Sequence, residues 1–217
     1  MESTGMECPF PAMWSVDTPD QLTDLYEEWG PSYDTDVNRI NYKAPLLVSN
    51  ALAALYPRER QSLKILDVGA GTGLVGVELQ KLGFGDVDGL DPSELMLKEA
   101  RATNTYNNLY CEYFTSKPTP GLDQDSYDVI ISAGSLIAGH LPTDCFIEAV
   151  RLVRKGGIIC IITRTEGKGS FNEAGYGDKC KVVLKQLQDE GELEEIQWEK
   201  VNYYASNAGV IMTYRVL

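Results

Sequence analysis

Apolar residues recur along this chain at two periods, one typical of buried strands and one typical of helices. Short continuous apolar runs predict five strands, at 63–68, 86–90, 109–114, 127–132 and 157–163. Apolar residues spaced three or four apart predict the helices that connect them, at 74–82, 93–102 and 143–153. Strands that alternate with helices in this way favour a parallel sheet with helices on both faces.

The beginning of the chain carries no strand pattern. Residues 1–20 are rich in proline, serine and threonine and show no period, which predicts a flexible leader. The stretch 22–29 has apolar residues at helical spacing, and the dipeptide Gly30-Pro31 is expected to end that helix. A second helix is predicted at 44–56. We therefore expect a leader followed by a single domain at 21–217.

The end of the chain predicts a different arrangement from the middle. An amphipathic helix at 178–191 precedes two strands at 198–204 and 210–216, which a short turn at 206–209 connects. Two strands joined so closely form an antiparallel hairpin, which we place at the edge of the sheet. The complete prediction is an α/β fold with a Rossmann-like, doubly wound, seven-stranded sheet, mostly parallel with an antiparallel C-terminal hairpin.

Composition narrows the classes of partner. The chain has 217 residues, of which 43% are hydrophobic, and this suits one domain with a sizeable core. No apolar run approaches the ~20 residues of a membrane helix, and no basic-then-apolar stretch marks a secretory signal. The net charge of −13 repels phosphate backbones. We therefore expect no membrane segment, no nucleic-acid partner and a monomeric protein.

Cysteine and histidine usage argues against metal and disulfide chemistry. The five cysteines are scattered without a Cys-x-x-Cys pair, and the single histidine is His140. That pattern predicts neither a zinc site nor a disulfide framework. A reducing compartment is the simplest interpretation, so we predict a cytoplasmic protein and leave access to the nucleus open.

A glycine-rich segment follows the first predicted strand. Residues 65–76 read Ile-Leu-Asp-Val-Gly-Ala-Gly-Thr-Gly-Leu-Val-Gly, with a strand before the glycines and a helix after them. Glycines at 69, 71 and 73 permit a tight turn and let a ligand approach the backbone closely. This arrangement predicts a nucleotide-type ligand at the carboxyl end of the strand.

Two ligand patterns overlap in this segment. Gly71, Gly73 and Gly76 satisfy the dinucleotide pattern G-x-G-x-x-G, and Asp91 follows at the spacing that pattern requires. It needs a strand that continues past Asp67 and buries its carboxylate, which is costly without a partner. The other pattern, Asp-x-Gly-x-Gly-x-Gly, begins at Asp67. There the strand ends before Asp67, whose carboxylate accepts bonds from loop amides and helps hold an amino-acid ammonium group; we favour this pattern.

Several segments together resemble the class I S-adenosylmethionine-dependent methyltransferases. The segments that carry the resemblance are Tyr-Glu-Glu-Trp-Gly-Pro-Ser-Tyr-Asp at 26–34, Ile-Leu-Asp-Val-Gly-Ala-Gly-Thr-Gly at 65–73, Gly-Leu-Asp-Pro-Ser-Glu-Leu-Met at 89–96, Tyr-Asp-Val-Ile-Ile-Ser-Ala-Gly at 127–134 and Leu-Val-Arg-Lys-Gly-Gly at 152–157. More narrowly, the chain is similar to the Williams–Beuren-region methyltransferase-like proteins. The resemblance implies S-adenosylmethionine as the cofactor and S-adenosylhomocysteine as its product.

The resemblance also implies a cofactor site. The glycine segment contributes Asp67, Gly69, Ala70 and Gly71, the ribose contact is Asp91, the adenine end has Pro92, Met96 and Thr115, and the methionine end has Tyr33 and Ala133. Many relatives place an acid after the third strand, where it binds the adenine amino group. This chain has no acid at that place, so a contact from Thr115 or Ser116 is expected instead.

Structural roles compete with these functional ones. Asp91 is also suited to cap the helix that begins near residue 93, Met96 to fill the core, and Tyr33 to pack as a core aromatic. His140, in a loop after the fourth strand, is either a general base or a surface residue, and we favour the surface. Arg164 pairs either with an acidic substrate or with a carboxylate of the fold. No residue is assigned a catalytic role.

Three functions are consistent with these residues. The first, which we predict, is methyl transfer to an unidentified small-molecule or protein acceptor. The segment 132–135 lacks the Asn/Asp-Pro-Pro-Tyr/Phe pattern associated with methylation of adenine or glutamine amides. The second is a non-catalytic partner protein that binds S-adenosylmethionine or S-adenosylhomocysteine. The third is an NAD-dependent oxidoreductase, for which no Tyr-x-x-x-Lys pair follows the fourth or fifth strand.

Overall fold

The computed structural model describes residues 18–167, 169–204 and 207–217. Within them, the helices are α1 (Pro19–Arg39), α2 (Ala44–Leu55), α3 (Leu74–Lys81), α4 (Glu94–Ala102), α5 (Cys145–Leu152) and α6 (Tyr176–Asp189). The strands are β1 (Lys64–Val68), β2 (Asp86–Leu90), β3 (Leu109–Tyr110), β4 (Tyr127–Ala133), β5 (Val153–Arg164), β6 (Leu193–Tyr204) and β7 (Asn207–Val216). Residues 1–17 of the predicted leader lie outside the described residues, and residues 18–20 cap and begin α1.

The seven strands form one sheet in the order β3-β2-β1-β4-β5-β7-β6. Neighbours among β1 to β5 pair in parallel, whereas β7 runs antiparallel to both β5 and β6. The predicted fold class, a mostly parallel doubly wound sheet with an antiparallel C-terminal hairpin, is confirmed. The strand order changes direction between β1 and β4. In such sheets ligands bind outside the carboxyl ends of the strands at that point.

Both faces of the sheet are buried, because successive side chains of a strand point to opposite faces. Ile130 and Ile131, neighbours on β4, are at most 1% exposed and belong to different apolar clusters. The first cluster includes Phe146 of α5, and the second includes Leu79 of α3. The central strands are therefore held from both sides, and their carboxyl ends are a rigid base for loops.

Helix α1 is longer than the sequence pattern predicted. It continues through Gly30 and Pro31 to Arg39, so the prediction of a helix end at that dipeptide was wrong. A proline inside a helix removes one backbone hydrogen bond and costs about 3 kcal/mol. Pro31 is exposed, but Trp29 is buried, and its indole N–H donates to Asp36 at 2.9 Å. This packing and the bond across the proline turn keep the two halves of the helix in line.

Several strand boundaries also differ from the prediction. β5 begins at Val153 and β6 at Leu193, before the predicted starts at 157 and 198. β1 continues through Asp67, and β3 ends at Tyr110. After Tyr110 the chain leaves the sheet, and Phe114 packs in the apolar core instead of in a strand. β7 already begins at Asn207, so the turn predicted at 206–209 starts at a residue outside the described ranges and ends inside a strand.

Candidate functional site

A cavity of about 270 Å³ lies at the carboxyl ends of β1, β2 and β4, and α1 forms one of its walls. Predicted cofactor residues that line it are Tyr33, Gly69, Gly71, Asp91, Pro92, Met96, Thr115 and Ala133. Asp67 and Ala70 were predicted with them but are not in its wall. Most of the residues proposed from separate motifs are thus brought to one place.

The glycine loop, residues 69–73, is folded onto the end of β2. The backbone N–H groups of Gly69 and Ala70 donate to the carbonyl oxygen of Leu90, at 2.8 and 3.1 Å. Gly71 has a φ of +55°, and a Cβ added there would have no atom within 4 Å. Bare backbone therefore faces open space at Gly71, which permits close contact with a ligand.

Asp91 follows β2 and lies in the cavity wall. Its Oδ2 accepts a hydrogen bond from the N–H of Gly71 at 2.9 Å, and its Oδ1 accepts one from the N–H of Ser93 at 3.0 Å. Burial raises the pKa of Asp91 to about 6, although both N–H groups favour the charged form. Ser93, not Asp91, caps α4, because its Oγ accepts from the N–H of Met96. Each carboxylate oxygen of Asp91 keeps further acceptor capacity for a ligand donor.

Asp67 lies within β1 and is fully buried, so the expectation that the strand ends before it was wrong. Its Oδ2 accepts from the hydroxyl of Tyr106 at 2.7 Å, and that hydroxyl accepts from the N–H of Gly76 at 3.1 Å. Asp67 Oδ1 has no hydrogen-bond partner among the described residues. Burial raises the pKa of Asp67 to about 7. The side chain thus acts on the glycine loop and on α3 through Tyr106, and not on the cavity directly.

Tyr106 also explains three glycines, two of which, Gly73 and Gly76, belong to the dinucleotide pattern. A Cβ on Gly76 would come within 2.5 Å of the Tyr106 ring, and Cβ atoms on Gly73 and Gly89 would come within 3.1 Å. Gly76 lies in the first turn of α3, where the free N–H groups of a helix attract anions. Here one of those N–H groups, that of Gly76, already donates to the Tyr106 hydroxyl, which in turn donates to Asp67. This arrangement disfavours a pyrophosphate at α3. The sequence offered no signal for Tyr106, which lies 39 residues from Asp67.

One end of the cavity has the residues expected around an adenine. Pro92, Met96, Phe114 and Thr115 line it, and no acidic side chain from the segment after β3 is in its wall. Met96 is only 2% exposed, so it belongs both to the core and to the cavity wall. Thr115 Oγ1 accepts from the N–H of Lys117 at 3.2 Å and keeps its own proton to donate.

Another part of the cavity wall is aromatic, and two of its rings, Tyr26 and Tyr33, come from α1. The ring centroids of Tyr26 and Tyr33 are 6.4 Å apart, and Trp29 packs against Tyr33 at 4.7 Å. Tyr42 and Ala133 continue the same wall. Trp29 is a core residue, as expected, whereas Tyr33 both packs on it and faces the cavity. Tyr26 and Tyr42 were not predicted as cavity residues: Tyr26 lies within the predicted helix 22–29, but its helical spacing does not show what the side chain faces, and Tyr42 lies beyond α1.

His140 belongs to this aromatic wall, although its loop is at the surface as predicted: Ala138 and Gly139 are exposed, and His140 is partly buried. Its Nε2 is 2.8 Å from the Tyr26 hydroxyl, and its Nδ1 is 3.3 Å from the carbonyl oxygen of Ala138. Burial, together with the positive charge of Arg164, lowers the pKa of His140 to about 4, although the contact with the Ala138 carbonyl raises it. The imidazole is therefore neutral at pH 7. Arg164 itself is buried and donates to the Tyr204 hydroxyl at 3.2 Å.

Formal charge is scarce at the site. Among the described residues that line the cavity, only Asp91 has a side chain that is charged at neutral pH. No group of three or more potential metal ligands is found in the described part of the chain. Within the same residues, no helix combines the length and the apolar character that crossing a membrane requires.

Comparisons with known proteins bear on this geometry. Residues 65–157 match the family described as Methyltransferase domain. Over 171 residues the chain is 32% identical to Methyltransferase-like protein 27 of Homo sapiens, a match that covers 79% of this chain and 67% of the human protein. Over 190 residues it is 26% identical to the Ubiquinone biosynthesis O-methyltransferase of Pelagibacter ubique, with 83% and 75% covered.

A solved structure with a similar fold is the TehB-like SAM-dependent methyltransferase from Corynebacterium glutamicum. The TM-score is 0.62 at 20% identity, and the match covers 88% of this chain and 98% of that chain. At this identity the likeness concerns the fold alone. It agrees with the α/β fold described above.

Proposed function

We propose a function on the premise that this chain belongs to the class I S-adenosylmethionine-dependent methyltransferases. In this proposal the cavity binds S-adenosylmethionine, and the protein transfers its methyl group to a small-molecule or protein acceptor. One observation carries the proposal. The Asp91 carboxylate, fixed by the N–H groups of Gly71 and Ser93, faces a cavity beside bare backbone. A carboxylate held in this way suits a ribose with two free hydroxyl groups, since charged acceptors make the stronger hydrogen bonds.

The other residues predicted for the cofactor site also have roles in this proposal. Gly69 and Gly71 offer backbone to the cofactor, and Pro92, Met96 and Thr115 surround the adenine. Tyr33 and Ala133 lie at the methionine end. Two residues contribute without lining the cavity: Ala70 through its backbone bond to β2, and Asp67 through Tyr106.

When bound, S-adenosylmethionine supplies an electrophilic methyl group on a sulfonium cation. The chain contributes by binding, orienting and covering the reactants, and orientation alone lowers the barrier of a displacement substantially. Asp91 and the glycine loop fix one end of the site. Tyr33 covers the methionine end, where its ring favours a neighbouring cation and apolar surface excludes water.

The two alternative functions fare differently. An NAD-dependent oxidoreductase is disfavoured because Tyr106 and Asp67 take up the end of α3 that a pyrophosphate needs. A non-catalytic partner protein would use the same cofactor residues, so the acceptor decides between it and the enzyme. A cytoplasmic location, a monomeric state and the division into a leader and a domain stay predictions.

The test is calorimetric titration of the purified protein with S-adenosylmethionine, S-adenosylhomocysteine and NAD. We expect the first two to bind with micromolar affinity and NAD to show no heat of binding. Binding of NAD alone would contradict the proposal and would indicate that Gly71, Gly73 and Gly76 form a dinucleotide site. Binding of none of the three would contradict the cofactor assignment itself.

A further inference from the structure

The direction of the hydrogen bonds around His140 is fixed by their partners. A backbone carbonyl can only accept, so the contact of Nδ1 with the Ala138 oxygen assigns the imidazole proton to Nδ1. Nε2 then has a free electron pair and accepts the hydroxyl proton of Tyr26, 2.8 Å away. Burial raises the pKa of Tyr26 well above its ordinary value, which keeps that proton on the tyrosine.

Tyr26 therefore presents an acceptor to the cavity. Its hydroxyl proton is donated to His140 Nε2, so its oxygen keeps electron pairs that can accept a hydrogen bond from a ligand. The residue lines the cavity beside Tyr33 and His140. A ligand group that fits there must donate a hydrogen bond.

Charge at this end restricts the donor to a neutral group. His140 is uncharged at pH 7 because burial lowers its pKa to about 4. Asp91, the charged side chain among the described residues of the wall, is already bonded to Gly71 and Ser93. A carboxylate has no proton to donate to the Tyr26 oxygen. An ammonium group would need the remaining acceptor capacity of Asp91, which binds the ribose in the proposed function, and would otherwise lose its hydration at a cost.

The shape of this end favours a flat ring. The Tyr26 ring has Tyr33 at 6.4 Å and His140 edge-on at 5.5 Å between centroids. Leu22 and Leu141 complete the apolar surface. Aromatic surfaces of this kind bind planar rings by stacking and edge-to-face contacts. The cover by α1 also favours a free small molecule over a side chain on a folded protein.

We infer that the methyl acceptor is a neutral phenol, bound with its hydroxyl on the Tyr26 oxygen. This inference rests on the proposed function. In the transfer, the acceptor oxygen forms a bond to the methyl carbon and the sulfur–methyl bond breaks, leaving neutral S-adenosylhomocysteine. The acceptor proton passes to the Tyr26 oxygen as the Tyr26 proton passes to His140 Nε2. Tyr26 is the catalytic residue of this step, and His140 acts through it.

The first test measures binding with a defined probe. The protein is saturated with S-adenosylhomocysteine and titrated with 4-nitrophenol and with nitrobenzene, which lacks the hydroxyl. We expect 4-nitrophenol to bind at least 10-fold more tightly, and Tyr26→Phe to remove most of that preference. Tyr214→Phe is the control, because its hydroxyl bonds to Glu195 outside the cavity. Equal binding of both probes, or a preference that persists in Tyr26→Phe, overturns the inference.

The absorption band of the bound probe supplies a second readout. A neutral Tyr26–His140 pair binds the protonated phenol, so the bound probe lacks the phenolate band and its affinity falls as solution pH ionises it. A bound phenolate, or tighter binding of benzylamine or benzoate than of 4-nitrophenol, overturns the inference.

The role of His140 is separated from that of Tyr26 by two substitutions. His140→Gln can still accept the Tyr26 hydrogen bond but cannot take up a proton, whereas His140→Leu can do neither. We expect His140→Gln to keep 4-nitrophenol binding within about 3-fold, less than 1 kcal/mol, and to lose methylation of the probe. Unchanged methylation in His140→Leu would remove His140 from the proton path.

The outcome also separates this inference from the proposed function. If S-adenosylhomocysteine does not bind, the proposed function fails before any acceptor is tested. If it binds and the phenol shows no preference, only the acceptor class is wrong.

Discussion

The two walls of the cavity are held in place by different kinds of contact. On the cofactor wall, which consists of the glycine loop and Asp91, backbone groups of two adjacent strands bond to each other and to the acid. Gly69 N–H donates to Leu90, and Gly71 N–H donates to Asp91. The central strands beneath are buried on both faces, so this wall is as stable as the sheet.

The cover, helix α1, is attached mainly through side chains. Thr72 donates to Asp34 at 2.6 Å, and the Tyr113 hydroxyl donates to Asp20 at 3.0 Å. The helix contributes a small apolar cluster whose buried members are Leu22 and Trp29. Elements held by few buried contacts open at lower free energy than the core. The cofactor wall is therefore the rigid part of the site, and the cover is the part able to open for a ligand.

The largest effect is expected where a side chain would fill the cofactor wall. In Gly71→Val the added side chain projects into the space beside the bare backbone, so binding of S-adenosylmethionine should become undetectable by calorimetry. Gly121→Val is a matched control: that glycine also has a positive φ and open surroundings but lies outside the cavity. Normal binding in Gly71→Val would remove the glycine loop from the site.

Tyr106→Phe tests the support behind the cofactor wall. It removes the hydroxyl from between Asp67 and Gly76 and leaves both buried groups without that partner. The free energy of unfolding in urea should fall by about 1–3 kcal/mol, and S-adenosylhomocysteine should bind more weakly. Tyr214→Phe, whose hydroxyl contact of 3.4 Å is long, should cost less and leave affinity unchanged. Equal effects of the two variants on stability and on affinity would show that the Tyr106 hydroxyl does not support the cofactor wall.

A pH dependence of stability should arise from the same wall. Burial raises the pKa of Asp67 from 3.8 to about 7, so the folded chain holds a proton that the unfolded chain has released. Stability is therefore highest at low pH in this range and falls as pH rises towards 7, by up to about 1.4 kcal/mol per pH unit. In Asp67→Asn, the free energy of unfolding should depend less on pH above pH 6. Below pH 6 part of the dependence should remain, because Asp91 also titrates there. Urea unfolding at several pH values measures this, and an unchanged slope would contradict the assignment.

The smallest effect is expected at the cover. Thr72→Val removes the hydroxyl that bonds to Asp34, which is exposed and can turn to water instead. The cost should be about 0.5–1.5 kcal/mol. Hydrogen exchange should become faster in α1 and stay unchanged in β1 and β2. Faster exchange in the strands, with none in α1, would refute the distinction between the two walls.

The same difference explains how far the sequence was informative. The cofactor wall consists of residues close in sequence, so the segments 65–73 and 89–96 predicted most of it, and hydrophobic periodicity predicted the sheet. The cover depends on contacts between distant residues. Tyr26 and His140 are 114 positions apart, and no local pattern links them. Pro31 further misled the prediction, because burial of Trp29 outweighs the local cost of a proline.

The measurement that tests the account most directly is the affinity of Asp91→Asn for S-adenosylhomocysteine, determined by calorimetry beside the wild type. Asn keeps the size of the side chain but removes the charge and one of the two acceptor oxygens, so either Gly71 or Ser93 loses its N–H partner. Affinity should fall by about 1.5–3 kcal/mol and the free energy of unfolding by about 1 kcal/mol. Asp86→Asn, at the opposite end of the same strand and outside the cavity, should bind as the wild type does. An Asp91→Asn protein with wild-type affinity would contradict the central claim that this carboxylate holds the cofactor.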